Sequence, residues 1–306
     1  MGTVHNLLRD HGKQGALKLD ICREAVEAAA GYMADEEGGV GFLYSGWCQT
    51  GLPHKRPADD AVWTVQSGRI TLVVEPGRRL IRGTKTECVG IPYGARARLI
   101  LLYLQSEALR NNSPEIELGK TLRGWLGRVG IPVGGESIKA VREQAERISR
   151  CRLTFHVARG TKIGLLNQNI VDEALFDTDE TGHGRFATRA VLSDGFFKQL
   201  KKHPVPLEEA AIRRISNNSQ ALDVYCWLAY RLHALDRATP MTWAALKAQF
   251  GIGVGRMVDF RRLFFPNLAL AMAVYPDAKV EQTNIGLVLY PSRPPVAPRQ
   301  IQIAVG

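Results

Sequence analysis

An α+β fold is predicted by three features of the sequence. Ile138, Val141, Ala145 and Ile148 recur at steps of three and four, an apolar stripe along one face of a helix. Directly after it, Leu153, Phe155 and Val157 alternate with Arg152, Thr154 and His156, the period of a strand with one buried face. The succession of helix, short strand, two helices and hairpin then occurs a second time, and two copies of one pattern say more than either alone. That succession is the order of a winged helix. The expected architecture is therefore two tandem winged-helix domains, residues 91–195 and 196–290, behind an N-terminal extension, 1–90, and ahead of a Pro-rich flexible tail, 291–306.

The extension is the least patterned part. Leu17, Ile21, Ala25 and Ala28 predict a helical stripe ending near Gly31, and Gly38 to Asp60, rich in Gly and Pro, reads as loop. Val62 to Val65 and Ile70 to Val74 bracket Ser67-Gly68 as a hairpin. In the first domain a helix is predicted from about Arg96 to Arg110, an extended piece over Glu115 to Leu118, and a second helix from Lys120 to Val129, closed by Gly130 and Pro132. A third helix starts after Gly134-Gly135 and ends near Arg150. The alternating strand after it turns at Arg159-Gly160 and returns through Ile163, Leu165 and Leu166. Asp172 to Gly184 reads as an exposed acidic loop, and Ala187 to Leu192 as an added strand.

In the second domain Pro206 to Ile215 predicts a leading helix, and Ala221 to Leu235 a second one carrying Leu222, Tyr225, Ala229 and Leu232 at helical spacing. Pro240 to Thr242 is extended and Trp243 to Phe250 helical. The glycines of Gly251 to Gly255 then make a turn into a long helix, Arg256 to about Tyr275, bent at Pro266 because proline removes a ladder hydrogen bond. Lys279 to Glu281 and Gly286 to Tyr290 close the unit as a hairpin.

With 306 residues the chain is long enough for two or three cores, and its 45% hydrophobic and 23% charged residues exclude a collagen, a mucin or a wholly disordered tail. Forty Lys and Arg against 30 Asp and Glu leave a net charge of +10, which attracts polyanions. Cys22, Cys48, Cys88, Cys151 and Cys226 are odd in number and widely spaced, so reduced thiols in a cytoplasmic protein are expected rather than disulfides or zinc. The charged N-terminus lacks the apolar stretch of a signal peptide, and no run of about 18 apolar residues would cross a membrane.

A helix that reads DNA enters the major groove with basic or amide side chains outward while its apolar stripe docks it on its own domain. Gly134 to Arg150 fits, with Glu136, Ser137, Lys139, Arg142 and Glu143 as candidate base contacts and Arg147 and Arg150 on the same basic surface. Arg152, His156, Arg159 and Lys162 would let the hairpin touch phosphates or a minor groove. The alternative is that these charges only face water, as on any amphipathic surface helix. Arg256, Arg261, Arg262 and Lys279 are the candidates in the second domain, joined by Arg293 and Arg299. Arg261 borders the face bearing Met257, Phe260, Phe264 and Leu268 and has a structural alternative. Arg96, Arg98, Lys198, Lys201 and Lys202 are candidate phosphate contacts.

Enzymatic readings find little support. Gly251 to Gly255 lacks a Walker lysine and a downstream ribose-binding acid, which leaves a turn between helices. The seven histidines are scattered, and Asp177, Asp179 and Glu180 read as solvated loop rather than a Mg²⁺ site. Tyr225, Tyr230 and Tyr275 lack the histidine pair a rolling-circle nucleophile needs, and Phe264-Phe265 reads as core. No catalytic residue, cofactor or metal is expected.

The segments IPYGARARLILLYLQSEALR, IELGKTLRGWLGRVGI, GFFKQLKKHPVPLEEAAIRRI and ALDVYCWLAYRLHAL resemble the plasmid-encoded replication initiators of bacteria, the RepA-like or RepA_C type, over about Gly90 to Pro298. The closing stretch is similar too, Phe260-Arg261-Arg262 leading to Tyr275-Pro276 and Gly286-Leu287. The resemblance implies a protein that binds repeated double-stranded sequences at the plasmid origin, helps to open it, and recruits a host initiator or helicase without hydrolysing ATP. It implies that Gly134 to Arg150 and Gly255 to Tyr275 are the recognition helices, with Tyr93, Arg96 and Arg98 as the basic opening of the first domain. More distant tandem winged-helix initiators dimerise into an inactive or autorepressing form, so a homodimer is among the expected partners. The competing function is a winged-helix repressor acting on an inverted repeat.

Overall fold

The computed structural model describes residues 3–36, 38–68, 70–128, 130–132, 134–159, 162–177 and 186–298. The chain begins with two helices, α1 (Thr3–Ala16) and α2 (Arg23–Met33). The single stripe expected across Leu17 to Ala28 is divided, because Lys18 and Leu19 donate back to Gly15 and Ala16 and close α1 in a turn. Gly38 to Asp60 is not all loop: it holds β1 (Val40–Tyr44) and α3 (Ser45–Gln49). The expected hairpin follows as β2 (Trp63–Ser67) and β3 (Ile70–Glu75), and a second hairpin, absent from the sequence reading, as β4 (Gly77–Arg82) and β5 (Lys85–Gly90).

The next elements lie within a residue or two of their expected bounds: α4 (Gly94–Arg110), β6 (Glu115–Glu117), α5 (Gly119–Arg128), α6 (Gly135–Arg150), β7 (Arg152–Arg159) and β8 (Lys162–Asn169). The expected acidic loop is in part a strand, β9 (Val171–Asp177), which pairs with β10 (Phe186–Leu192). Asp179 and Glu180 lie outside the described residues, as does Gly160 of the expected turn.

After α7 (Asp194–Lys202) the expected leading helix is split into β11 (Pro204–Glu208) and α8 (Glu209–Ile215). Pro204 and Pro206 lack the amide protons a helix ladder needs, while a strand with a single partner tolerates them. The second unit then runs through α9 (Ser219–Leu232), β12 (Thr239–Thr242), α10 (Trp243–Phe250), α11 (Met257–Ala273), β13 (Val280–Gln282) and β14 (Gly286–Leu289). Asn218 caps α9, its side chain accepting from the amides of Gln220 and Ala221. The tail is packed as far as it is described. Val296 is fully buried, Ser292 N donates to Leu232 O, and Tyr275 Oη donates to Arg293 O at 2.6 Å.

Among the described residues the two units carry three-stranded antiparallel sheets of matching order, β6-β10-β9 and β12-β14-β13. In each, the short strand between the first two helices pairs with the last strand of the unit. The β7–β8 hairpin, expected as the wing, belongs elsewhere: β7 pairs with β3, giving the order β2-β3-β7-β8.

The first 90 residues are woven into both units. β1 pairs antiparallel with β11, from Val40 opposite Glu208 to Tyr44 opposite Pro204. Its other edge is met by α4, where Ser106 Oγ accepts from Phe42 N at 2.8 Å and Gln105 Oε1 from Tyr44 N at 2.7 Å. These buried polar side chains satisfy backbone groups that would otherwise be orphaned. Leu99 to Leu104 of α4 are buried without a break, so this helix is central rather than amphipathic. Tyr44, Trp47, Phe155 and Phe196 meet edge to face on one side of it, and Trp227, Phe250, Phe260 and Phe264 fill the second unit.

Candidate nucleic-acid interface

The first surface is α6. Gly134 precedes the helix in an extended conformation, and Val141, Gln144, Arg147 and Ile148 form its buried side. Gln144 is held there by accepting from Tyr93 N at 2.8 Å. On the outer side Glu136 and Lys139 are exposed and Arg142 and Glu143 half-buried. Ser137 turns inward, its hydroxyl buried with no hydrogen-bond partner among the described residues.

Arg147 does not belong to the outer surface. Its side chain is only 3% exposed and bridges Asp59 at 2.9 Å and Glu143 at 3.0 Å. It also donates to Ile91 O and stacks 5.2 Å from the centre of the Tyr93 ring. The guanidinium is enclosed because carboxylates arrive from a distant loop and from one turn earlier on α6. Arg150 is likewise engaged, with Glu146 at 3.3 Å and with Arg78 O at 3.1 Å. The cationic surface of α6 is thus confined to its N-terminal half, around Lys139 and Arg142.

Around the β7 strand, Arg152 is exposed and His156 half-buried, but Thr154, expected on the wet face, is buried. The backbones of Arg159 and Lys162 pair at the end of β7 and β8, and their side chains lie outside the described ones. In the first unit's own sheet β10 is the central strand, and its Arg189 pairs with Glu115 of β6 at 2.7 Å.

The second surface is the start of α11. Gly253 has φ +82°, and Lys247 Nζ donates to Gly255 O at 2.9 Å, fixing the turn into the helix. Arg256 and Arg262 project with side chains 79% and 77% exposed, both leaning on Asp259. Val258 and Leu263 are exposed beside them. Arg261 takes the structural alternative, its guanidinium lying 4.7 Å from the centre of the Trp243 ring. Lys279 is exposed at the foot of the β13 strand, Arg293 is exposed, and Arg299 lies outside the described residues.

Of the expected phosphate contacts, Lys198, Lys201 and Lys202 are exposed on α7, with Lys201 reaching Asn112 Oδ1 at 2.7 Å. Arg96 donates to Asn217 Oδ1 at 3.0 Å. Arg98 is removed from solvent, 10% exposed and paired with Asp223 of α9. The sequence reading missed the basic β4–β5 hairpin, whose signal was the run Arg78-Arg79-Leu80-Ile81-Arg82 before Gly83.

The cysteines are unpaired, and burial pushes the Cys151 thiol up to about 12, with Cys48 and Cys226 also raised, so these three are inert. Among the described residues no group of His, Cys, Asp and Glu gathers as for a metal ion, and no helix is long and apolar enough to cross a membrane.

The fold is similar to a crystal structure of domains 2 and 3 of RctB, with a TM-score of 0.50 at 12% identity, covering 83% of this chain and 99% of that one. A second structure of RctB domains 2–3 gives a TM-score of 0.44 at 9% identity, covering 79% of this chain and 93% of that one. No curated protein matches the sequence. Residues 91–245, about half of the chain and spanning the first unit and the start of the second, match the family described as plasmid encoded RepA protein, and the chain belongs to that family of plasmid replication initiators.

Proposed function

We propose that this protein initiates plasmid replication by binding repeated double-stranded sites at the origin through two winged-helix modules, with α6 and α11 as the helices that enter the major groove. The observation that carries the reading is the repetition: two units with the same order of helices and the same antiparallel strand order, each with a third helix that exposes a cation toward its start, Lys139 in α6 and Arg256 at the entry to α11. Lys139 and Arg142 on one, and Arg256 and Arg262 on the other, would reach base edges or flanking phosphates. Lys198, Lys201 and Lys202 add phosphate contacts, and the net charge of +10 draws the protein to the duplex. Two modules on one face of the duplex would read successive turns roughly 34 Å apart.

Membership of a plasmid initiator family supports a role in which the bound protein helps to open the origin and recruits a host initiator or helicase, acting in the cytoplasm without catalysis or cofactor. DNase I footprinting of the purified protein on its plasmid's origin at about 150 mM salt tests the proposal, a concentration at which phosphate contacts alone hold weakly. Regular protection of directly repeated sites, two turns per protein, is expected. Protection of a single promoter palindrome would instead make the protein a repressor, and protection of one turn would remove one module from the interface.

A further inference from the structure

The β4–β5 hairpin has no part in the function proposed above, yet it is built as a fixed arm. Its feet, Gly77 and Gly90, face each other across the ladder. Both are pressed against α6: a Cβ on Gly77 would fall 2.1 Å from Arg150 O, and one on Gly90, at φ +79°, would fall 1.9 Å from Arg147 Nη1. Only glycine allows this approach. Above the feet, Arg79 bridges Glu87 on the opposite strand and Glu146 on α6 at 3.0 Å, while Arg150 grips Arg78 O.

From this base two six-residue strands reach about 20 Å. The end is apolar and basic at once. Leu80 and Ile81 are 61% and 58% exposed, followed by exposed Arg82, Gly83 at φ +57°, and exposed Lys85. The ladder shifts register between Leu80 and Arg82, an irregularity that re-aims side chains at the end of a ribbon. The hairpin's one carboxylate, Glu87, is already held by Arg79.

Adjacent aliphatic side chains flanked by cations, carried on a rigid arm, match the chemistry by which proteins wedge open a base step from the minor groove while neutralising the neighbouring phosphates. We propose that the β4–β5 hairpin is a DNA-bending arm: Leu80 and Ile81 enter the minor groove beside the site held by α6, and Arg82 and Lys85 contact the phosphates on either side. The inference rests on the reading of α6 as a DNA-facing helix. A second copy of the chain fits the arm less well, because two-fold pairing of β4 with itself would bring Arg78, Arg79 and Arg82 of both copies together.

The test uses the full-length protein on an origin fragment with the site at varied positions, reading the bend by gel mobility and affinity by titration. Leu80→Ser/Ile81→Ser should keep the footprint of the helices, lose the bend, and bind about tenfold more weakly. Arg82→Ala/Lys85→Ala should reduce the slope of log K against log salt by about 1.8. Netropsin, a minor-groove ligand, should abolish the bend of the wild type before it releases the protein. Both variants bending and binding as the wild type does, with unchanged thermal midpoints, would overturn the arm alone. A wild-type affinity retained by Leu80→Ser/Ile81→Ser together with a smaller sedimenting species would overturn it in favour of a dimer contact. A wild type that binds no duplex would instead overturn the reading of α6, and the arm with it.

Discussion

Arg98 of α4 and Asp223 of α9 face each other as a two-pronged ion pair, Nε to Oδ1 at 2.6 Å and Nη2 to Oδ2 at 2.6 Å. The remaining guanidinium protons go to Leu52 O, Gly94 O and Pro53 O, so the charge is fully solvated by protein. The pair clamps the central helix of the first unit to the first helix of the second.

Arg98→Ala leaves Asp223 charged in a site only 13% exposed, and should lower the unfolding free energy by about 3–5 kcal/mol. The double change Arg98→Met/Asp223→Leu should recover most of that loss. Urea titrations of the three variants check both statements.

His54 sits beside this pair, its Nδ1 3.0 Å from Ser219 Oγ. Burial, opposed by Asp223 and aided to a lesser degree by Arg98, holds its imidazole below the ordinary value of 6.5. The unfolded chain therefore takes up a proton before the folded one does. Stability from this site is complete above about 6.5 and is lost as the pH falls through the folded value. His54→Gln should flatten the fall in thermal midpoint between about pH 7.5 and 5 relative to the wild type. Parallel curves for the two proteins would refute the assignment.

Arg147, enclosed by carboxylates, and Arg142, proposed to contact DNA, stand on the same helix and should respond differently to loss of the side chain. Arg147→Ala removes hydrogen bonds to Asp59, Glu143 and Ile91 O and should lower stability by about 2 kcal/mol, with DNA affinity per folded molecule unchanged. Arg142→Ala should cost about 1 to 3 kcal/mol on the origin repeat and little on random duplex. Paired denaturation and fluorescence-anisotropy titrations distinguish the two.

On the second surface, Arg256→Ala/Arg262→Ala removes two cations that are almost wholly exposed. The fold should be unaffected, and the slope of log K against log salt should drop by about 1.8 if both touch phosphate. A smaller drop with a loss confined to the cognate repeat would place one of them on a base edge.

Helices α6, α9 and α11 were legible because their signal is local: their apolar spacings lie within one window of sequence, as do the glycines that end α5 and start α11, whereas α3 and α7 are absent from the sequence reading and the helix expected over Pro206 to Ile215 is half strand. Partner choice was not. β6 selects β10 and leaves β7 to β3, a pairing between Leu153 and Val74 that no local alternation contains. Arg98 and Arg147 were read as surface cations for the same reason, since Asp223 and Asp59 are far away in sequence. Lys139, Arg256 and Arg262, whose environment is set by their own helix, stand where their spacing put them.

The pairing of β1 with β11 sets a timetable for synthesis. Val40 meets Glu208, so the strand made early must wait for about 160 further residues, on the order of ten to thirty seconds of translation. Until then Ser106 and Gln105 can occupy one edge of β1, but the other stays open. On the ribosome β1 cannot complete its pairing before β11 has emerged, and a nascent chain stalled before Pro204 presents an unpaired strand edge to chaperones.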